Sequence, residues 1–362
     1  MRYFHIFAAA GACLFLAISS SGLKADDPFN DFESFHKQLS PAVSARLQAT
    51  TKHYRQIEPS LYYLAATYSA HIKKMSDDQQ VVTLVKLAQF IDKQRTSAAT
   101  HIVIGKDINI IGLLDPDRGL DPREITAIAQ MYNASPTIFK KNSSEKTLSD
   151  VADDFLTTVS LAANKKQPTT IIVLGHGLPN EIQSYSIPCD RLADALLPQL
   201  DKSLTVDLGH LVLICDDCYS ADFSINLAKL LEKKCQARSL KLNSMPVMIA
   251  GTNRDRVGHA DFGEKFVPHF WKDVIELYYI RRPRQSTITL RDFFENVDNM
   301  MYGYGRVPKV DADGTVTYKL VNPELCQDPV VFVPLNEDDR SQLRNILGLP
   351  ANEPLIGIFD IG

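Results

Sequence analysis

The chain has 362 residues, 45% of them hydrophobic and 23% charged, with a formal net charge of −4. Such a composition is globular and long enough for one large domain or a domain with an appendage. A mildly acidic, mixed-sign balance leaves no electrostatic footprint for nucleic acid or anionic lipid and argues against nucleic acid as a partner.

Residues 1–25 read as a secretory signal peptide. Arg2 lies in a short n-region, Ile6 to Ser20 is apolar, and Leu23-Lys24-Ala25 supplies a cleavage site before Asp26. The apolar run is too short to span a bilayer stably, and no later stretch reaches about 18 apolar residues. The sequence therefore predicts a secreted or periplasmic protein with no membrane span after cleavage. Losing Arg2 and Lys24 leaves 37 basic residues against 43 acidic ones, a balance of −6. Five cysteines then remain: Cys189, Cys215, Cys218, Cys235 and Cys326. That number is too sparse for a disulfide scaffold, and an odd count in an oxidising compartment leaves one thiol over.

Residues 26–98 are helical in pattern. Leu47, Tyr54, Ile57, Leu61, Leu64 and Tyr68 recur at helical spacing, and so do Val82, Leu84, Val85, Leu87, Ala88 and Ile91. Pro59 kinks or splits the first helix. This zone is expected to be a helical layer, a pro-segment or a partner surface.

From about 99 to 336 the pattern alternates between strands and helices. Strands are predicted at His101–Gly105 and Thr137–Lys140, with helices over Arg123–Tyr132 and Asp150–Ala163, the latter capped by Ser149. Three short apolar runs follow: Thr169–Leu174, His210–Ile214 and Pro246–Ala250. Unbroken runs separated by helices, here Asp190–Leu200 and Ser224–Lys233, indicate a parallel sheet buried on both faces. Helices over Pro268–Arg281 and Leu290–Met301 come next, then strands at Val316–Leu320 and Val330–Val333 near the sheet edge. Residues 337–362 read as a short helix and a mixed tail. The fold class is α/β, a mostly parallel sheet flanked by helices and preceded by the helical segment.

In such sheets, sites form beyond the carboxyl ends of the strands. The first of the three runs ends in Gly175-His176-Gly177, the second in Cys215-Asp216-Asp217-Cys218-Tyr219-Ser220, the third in Gly251-Thr252-Asn253. A histidine and a cysteine thus stand at successive strand ends. A thiol becomes a strong nucleophile on losing its proton, and a nearby imidazole or helix N-terminus favours the thiolate. Glycines around His176 let the backbone approach a substrate and offer N–H groups to a developing oxyanion.

The apolar strand ending in His-Gly, followed by one ending in Asp-x-Cys-x-Ser, resembles the caspase, metacaspase and legumain superfamily of cysteine peptidases. Asp216-Asp217-Cys218-Tyr219-Ser220 is similar to the metacaspase-type block Asp-Cys-Cys-His-Ser-Gly, and Gly175-His176-Gly177 to its Ser-Gly-His-Gly block. The resemblance implies a caspase-like fold and an endopeptidase acting on protein or peptide, without cofactor or metal. Cys218 is then the nucleophile and His176 the acid and base. The N–H groups of Gly177 and Cys218 form the oxyanion hole, and Ala250, Gly251, Thr252 and Asn253 pair with substrate backbone. Asp216 matches a position that lines the pocket before the cut, where a carboxylate suits Arg or Lys. Equally, Asp216 or Asp217 caps the following helix. Ala221 and Tyr219 depart from the metacaspase block, which has Gly and His there.

Other chemistries fit less well. Cys215-Asp216-Asp217-Cys218 is a C-x-x-C, as in thiol–disulfide oxidoreductases. In extended chain, however, the two α-carbons lie roughly 10 Å apart, beyond disulfide reach. A zinc site from Cys215, Cys218 and one of His176, His210 or His259 lacks a supporting motif. Asp311-Ala312-Asp313-Gly314 resembles the start of a calcium loop but reads as a hairpin turn, because the downstream Glu is missing. A nucleophile elbow of the Gly-x-Ser-x-Gly type is absent. A caspase-like scaffold used only for binding is the non-enzymatic alternative.

Overall fold

The structure is a computed structural model. It describes residues 41–50, 61, 64–65, 68–98, 100–115, 125–126, 129–130, 133–141, 146–197, 205–252, 287–290, 306–310, 316–320, 330–333, 335–350, 355 and 358–360. The expected signal peptide, Pro59, Asn253, His259, the helix expected over 268–281, the helix expected at Leu290–Met301 beyond Leu290 itself, and Cys326 lie outside these residues.

A seven-stranded sheet organises the chain: β1 (Asn109–Leu114), β2 (Thr137–Phe139), β3 (Thr169–Leu174), β4 (Leu211–Asp216), β5 (Val247–Ala250), β6 (Val330–Val333) and β7 (Ile358–Asp360). Its order is β7-β6-β5-β4-β3-β1-β2. Strands β2, β1, β3, β4 and β5 run parallel, whereas β6 is antiparallel to both β5 and β7. The protein is thus α/β with a mostly parallel central sheet flanked by helices.

All six residues of β3 and all six of β4 are buried, as expected of apolar strands covered on both faces. Alternation along each strand divides the apolar side chains between two cores. Ile111, Leu113, Ile171, Val173, Leu213 and Met248 face one cluster. Ile110, Leu114, Ile172, Leu174, Val212, Ile214 and Ile249 face the other. The first cluster is closed by α3 (Leu148–Lys165), α4 (Cys189–Leu196) and α5 (Ser220–Ala237). It also takes Val43 of α1 (Pro41–Thr50) and Leu84, Leu87, Phe90 and Ile91 of α2 (Asp77–Ala98). The N-terminal helices therefore share a core with the sheet. Removing them would expose side chains that each contribute about 1.5–3 kcal/mol by burial.

Several local expectations are corrected. The cap of α3 is Thr147: its hydroxyl accepts the Asp150 N–H at 3.1 Å, and the Asp150 carboxylate accepts the Thr147 N–H at 2.7 Å. Ser149 lies inside the first turn, because the reciprocal capping box is set by the 147/150 spacing. Strand Ile102–Gly105 pairs antiparallel with Thr287–Thr289, outside the main sheet. The first strand of that sheet is Asn109–Leu114, where Gly112 leaves room for Ile125: a Cβ there would meet Ile125 Cδ1 at 2.7 Å. Val316–Leu320 pairs antiparallel with Arg306–Val310, outside the main sheet, and the turn expected at Asp311–Gly314 lies outside the described residues. The segment after 336 is more than a tail. It forms α6 (Glu337–Leu347) and supplies edge strand β7.

A buried ion pair fastens this C-terminal segment. Glu232 of α5 receives the Arg344 guanidinium of α6 and the Leu355 N–H, and burial raises its carboxyl pKa despite the arginine. Both side chains are almost fully enclosed. Glu232→Ala should cost about 3 kcal/mol or more, because it leaves Arg344 buried without its carboxylate. Urea denaturation of the two variants checks this, with Glu232→Gln losing less because it keeps the acceptor.

Candidate functional site

Strands β3 and β4 end side by side, with Leu174 opposite Asp216. His176 stands two residues past β3 and Cys218 two past β4, so the register that pairs the strands brings the two motifs together. Gly177 marks the contact. A Cβ built on it would lie 2.5 Å from the Asp217 carboxyl carbon and 2.7 Å from the Cys218 carbonyl oxygen. Any larger residue would push the two loops apart, since one of those atoms is backbone.

The histidine loop is closed by a small antiparallel sheet of Gly177–Leu178, Glu181–Ile182 and Ile187–Pro188. The His176 carbonyl accepts the Gln183 N–H at 2.9 Å, and the His176 N–H donates to Ser184 Oγ at 2.9 Å. Ser184 donates in turn to Asp115 Oδ2 at 2.7 Å. Asp115 directly follows β1 and is 1% exposed, and its Oδ2 lies 3.9 Å from His176 Nε2. The His176 side chain is 43% exposed. Asn226 of α5 holds the far end of this loop by donating to the Pro179 carbonyl and the Asn180 side chain, both at 2.8 Å.

The cysteine loop is pinned by hydroxyls. Thr252 Oγ1 donates to the Asp217 carbonyl at 3.0 Å and accepts the Ser220 N–H at 3.0 Å. With its hydrogen spent on Asp217, it accepts from the Ser220 hydroxyl at 2.9 Å. Ser220 Oγ accepts the Thr252 N–H at 3.0 Å, and the Thr252 carbonyl accepts the Ala221 N–H at 3.1 Å. Tyr219 sits at φ 57°, ψ 25°, in the left-handed region, as the N-cap of α5. That unusual backbone turns the chain from the Cys218 loop into the helix. The helix-capping alternative for Asp216 and Asp217 is thereby removed, since both lie before the cap. Asp216 closes β4 and is buried, with its carbonyl accepting the Gly175 N–H at 3.5 Å.

The expected substrate-pairing stretch is placed differently residue by residue. Ala250 is buried in β5, and the Gly251 N–H donates to the Cys215 carbonyl at 2.8 Å. Thr252 is 1% exposed and faces inward, so its polar groups hold the Cys218 loop. Asp115 and Ser184 are not among the residues expected from the sequence. Asp115 carries a signal, a carboxylate ending an apolar run, but Gly112 interrupts that run and hides the strand. Ser184 carries none, because its role depends on how the loop folds back.

Exposure separates the thiols. Cys189, Cys215 and Cys235 are buried and Cys218 is half-buried, and none of the four is in a disulfide. Burial, reinforced by the nearby Asp217 charge, raises the Cys189 and Cys215 thiol pKa values well above the ordinary range, and burial pushes Cys235 up to about 11. Thiolate chemistry at Cys215, and with it the C-x-x-C redox reading, is accordingly disfavoured. Among the described residues no group of three or more His, Cys, Asp or Glu side chains is placed to hold a metal ion, and no helix is long and apolar enough to cross a membrane.

Fold and site together define an α/β protein with a histidine and a partly exposed cysteine at adjacent ends of parallel strands. Compared with known proteins, the chain matches no family model and no curated protein. Thr252→Val should lower stability by about 2 kcal/mol, since the Asp217 carbonyl and Ser220 groups lose a buried partner. Thermal melts, with Cys218 modification by a small thiol reagent becoming faster, check that expectation.

Proposed function

We propose that the protein is a cysteine endopeptidase of the caspase-like kind, exported by its N-terminal signal. The observation that carries this reading is the meeting of Gly177 with the Cys218 loop, which sets a half-exposed imidazole and the one partly exposed described thiol at one sheet end. The sheet order and the strand-end positions of both motifs also agree with the caspase-like resemblance.

In this mechanism His176 takes the Cys218 proton as the sulfur attacks the scissile carbonyl. The oxyanion is stabilised by the N–H groups of Gly177 and Cys218. His176 then passes its proton to the leaving amine, and water hydrolyses the thioester with His176 as base. Asp216 beside the site favours a basic residue before the cut.

Cys218→Ala and His176→Ala should each lower turnover by a factor of about 100 or more while leaving the thermal midpoint near that of the native chain. Peptide probes bearing a thiol-reactive group after Arg, Lys, Asn or Asp should form an adduct at Cys218, located by mass spectrometry, with Arg or Lys preferred. Loss of the global fold in both variants, or no adduct at Cys218, would refute the reading.

A further inference from the structure

We infer that Asp115 and Ser184 form a positioning pair behind His176, one that holds the imidazole and stabilises its charged form when it takes the thiol proton. The inference deepens the hydrolase reading and rests on it for the identity of the base.

Three elements converge on one carboxylate oxygen. Asp115 Oδ2 accepts the Ser184 hydroxyl at 2.7 Å and stands 3.9 Å from His176 Nε2. Ser184 Oγ also accepts the His176 backbone N–H at 2.9 Å. The histidine is therefore held at both ends from the same carboxylate, the main chain through the serine and the ring across a short gap. At 3.9 Å the carboxylate acts on the ring as a nearby charge, since direct hydrogen bonds are shorter. The packing has been kept open for this contact: a Cβ on Gly175 would lie 2.7 Å from Ser184 Oγ and 3.3 Å from Asp115 Cβ.

The chemistry follows from placement. Asp115 is 1% exposed, so little water screens its charge from the imidazole. An opposite charge within this range favours the imidazolium. Asp216, at the end of β4, and Asp217 and Cys218 after it belong to the neighbouring loop. Asp217 lies against the Gly177 backbone, and the Asp115 carboxylate lies within 4 Å of the ring nitrogen. Asp115 touches no reacting atom, and its part is positioning and charge.

The test uses the full chain as wild type, Asp115→Asn and Ser184→Ala. The readouts are iodoacetamide alkylation of Cys218 across pH, followed by mass spectrometry, and kcat and KM on a cleaved peptide. Asparagine can still accept the Ser184 hydroxyl, so this variant removes the charge and keeps the bond. Alkylation of Asp115→Asn near neutral pH should fall about tenfold or more, because the imidazolium that favours the thiolate has lost its counter-charge. Ser184→Ala should lower kcat with KM nearly unchanged. Profiles for both variants that superimpose on wild type would overturn the inference. If Asp115→Asn does not fold, Ser184→Ala decides alone, and an unchanged kcat in it overturns the inference. Wild-type chain that alkylates at Cys218 in a His176-dependent way yet cleaves no peptide would refute the peptidase reading and not this one.

Discussion

The approach of Gly177 to the Asp217 carboxyl and the Cys218 carbonyl is the constraint on which the site depends. Two parallel strands deliver their following loops to the same end of the sheet, but only a residue without a Cβ lets those loops touch. Everything that gives the site its character lies around this contact. The histidine loop is folded back on itself by a small antiparallel sheet and tied to α5 by Asn226. The cysteine loop is tied to the end of β5 by the buried Ser220–Thr252 hydroxyl pair. Both loops are thus braced independently before they meet.

That bracing answers a difficulty common to strand-end sites. Loops carry polar backbone that must find partners when buried, and an unsatisfied group costs about as much as a lost hydrogen bond. Here the Thr252 hydroxyl and carbonyl take up the Ser220 and Ala221 N–H groups at the start of α5, where a helix has no internal partners for them, and the Ser220 hydroxyl takes up the Thr252 N–H. Tyr219 holds a left-handed backbone at the same point, and the surrounding bonds hold it there. The same economy is visible at the other end of the molecule. Glu232 satisfies Arg344 and the Leu355 N–H together and so fixes the C-terminal segment against α5.

The sharing of one core by the N-terminal helices and the sheet changes how the helical zone is understood. From periodicity the zone reads as a helical layer or a pro-segment. In the structure Leu84, Leu87, Phe90 and Ile91 lie in the same cluster as Phe332 and Leu335. A segment whose apolar face is part of the main core is held by the hydrophobic effect itself, so its loss would disturb the sheet edge that it covers.

Much of the sheet was legible in the sequence because β3, β4 and β5 fall in short apolar runs containing β-branched residues, and such runs between helices point to a doubly covered parallel strand. The residues that follow them, His176 and Cys218 above all, could be singled out by the strand-end rule alone. Asn109–Leu114 was not recognised, since Gly112 interrupts its pattern, and with it went Asp115. The side-chain bonds among Asp115, Ser184 and His176, and those among Asp217, Ser220 and Thr252, join residues up to 69 positions apart. No local pattern records them. Composition and periodicity determined which segments would be strands and which residue types would stand at their ends. Which of those ends touch, which carboxylate is buried beside the imidazole and which thiol stays accessible were decided only by tertiary packing, because burial and charge act through distances in space rather than along the chain.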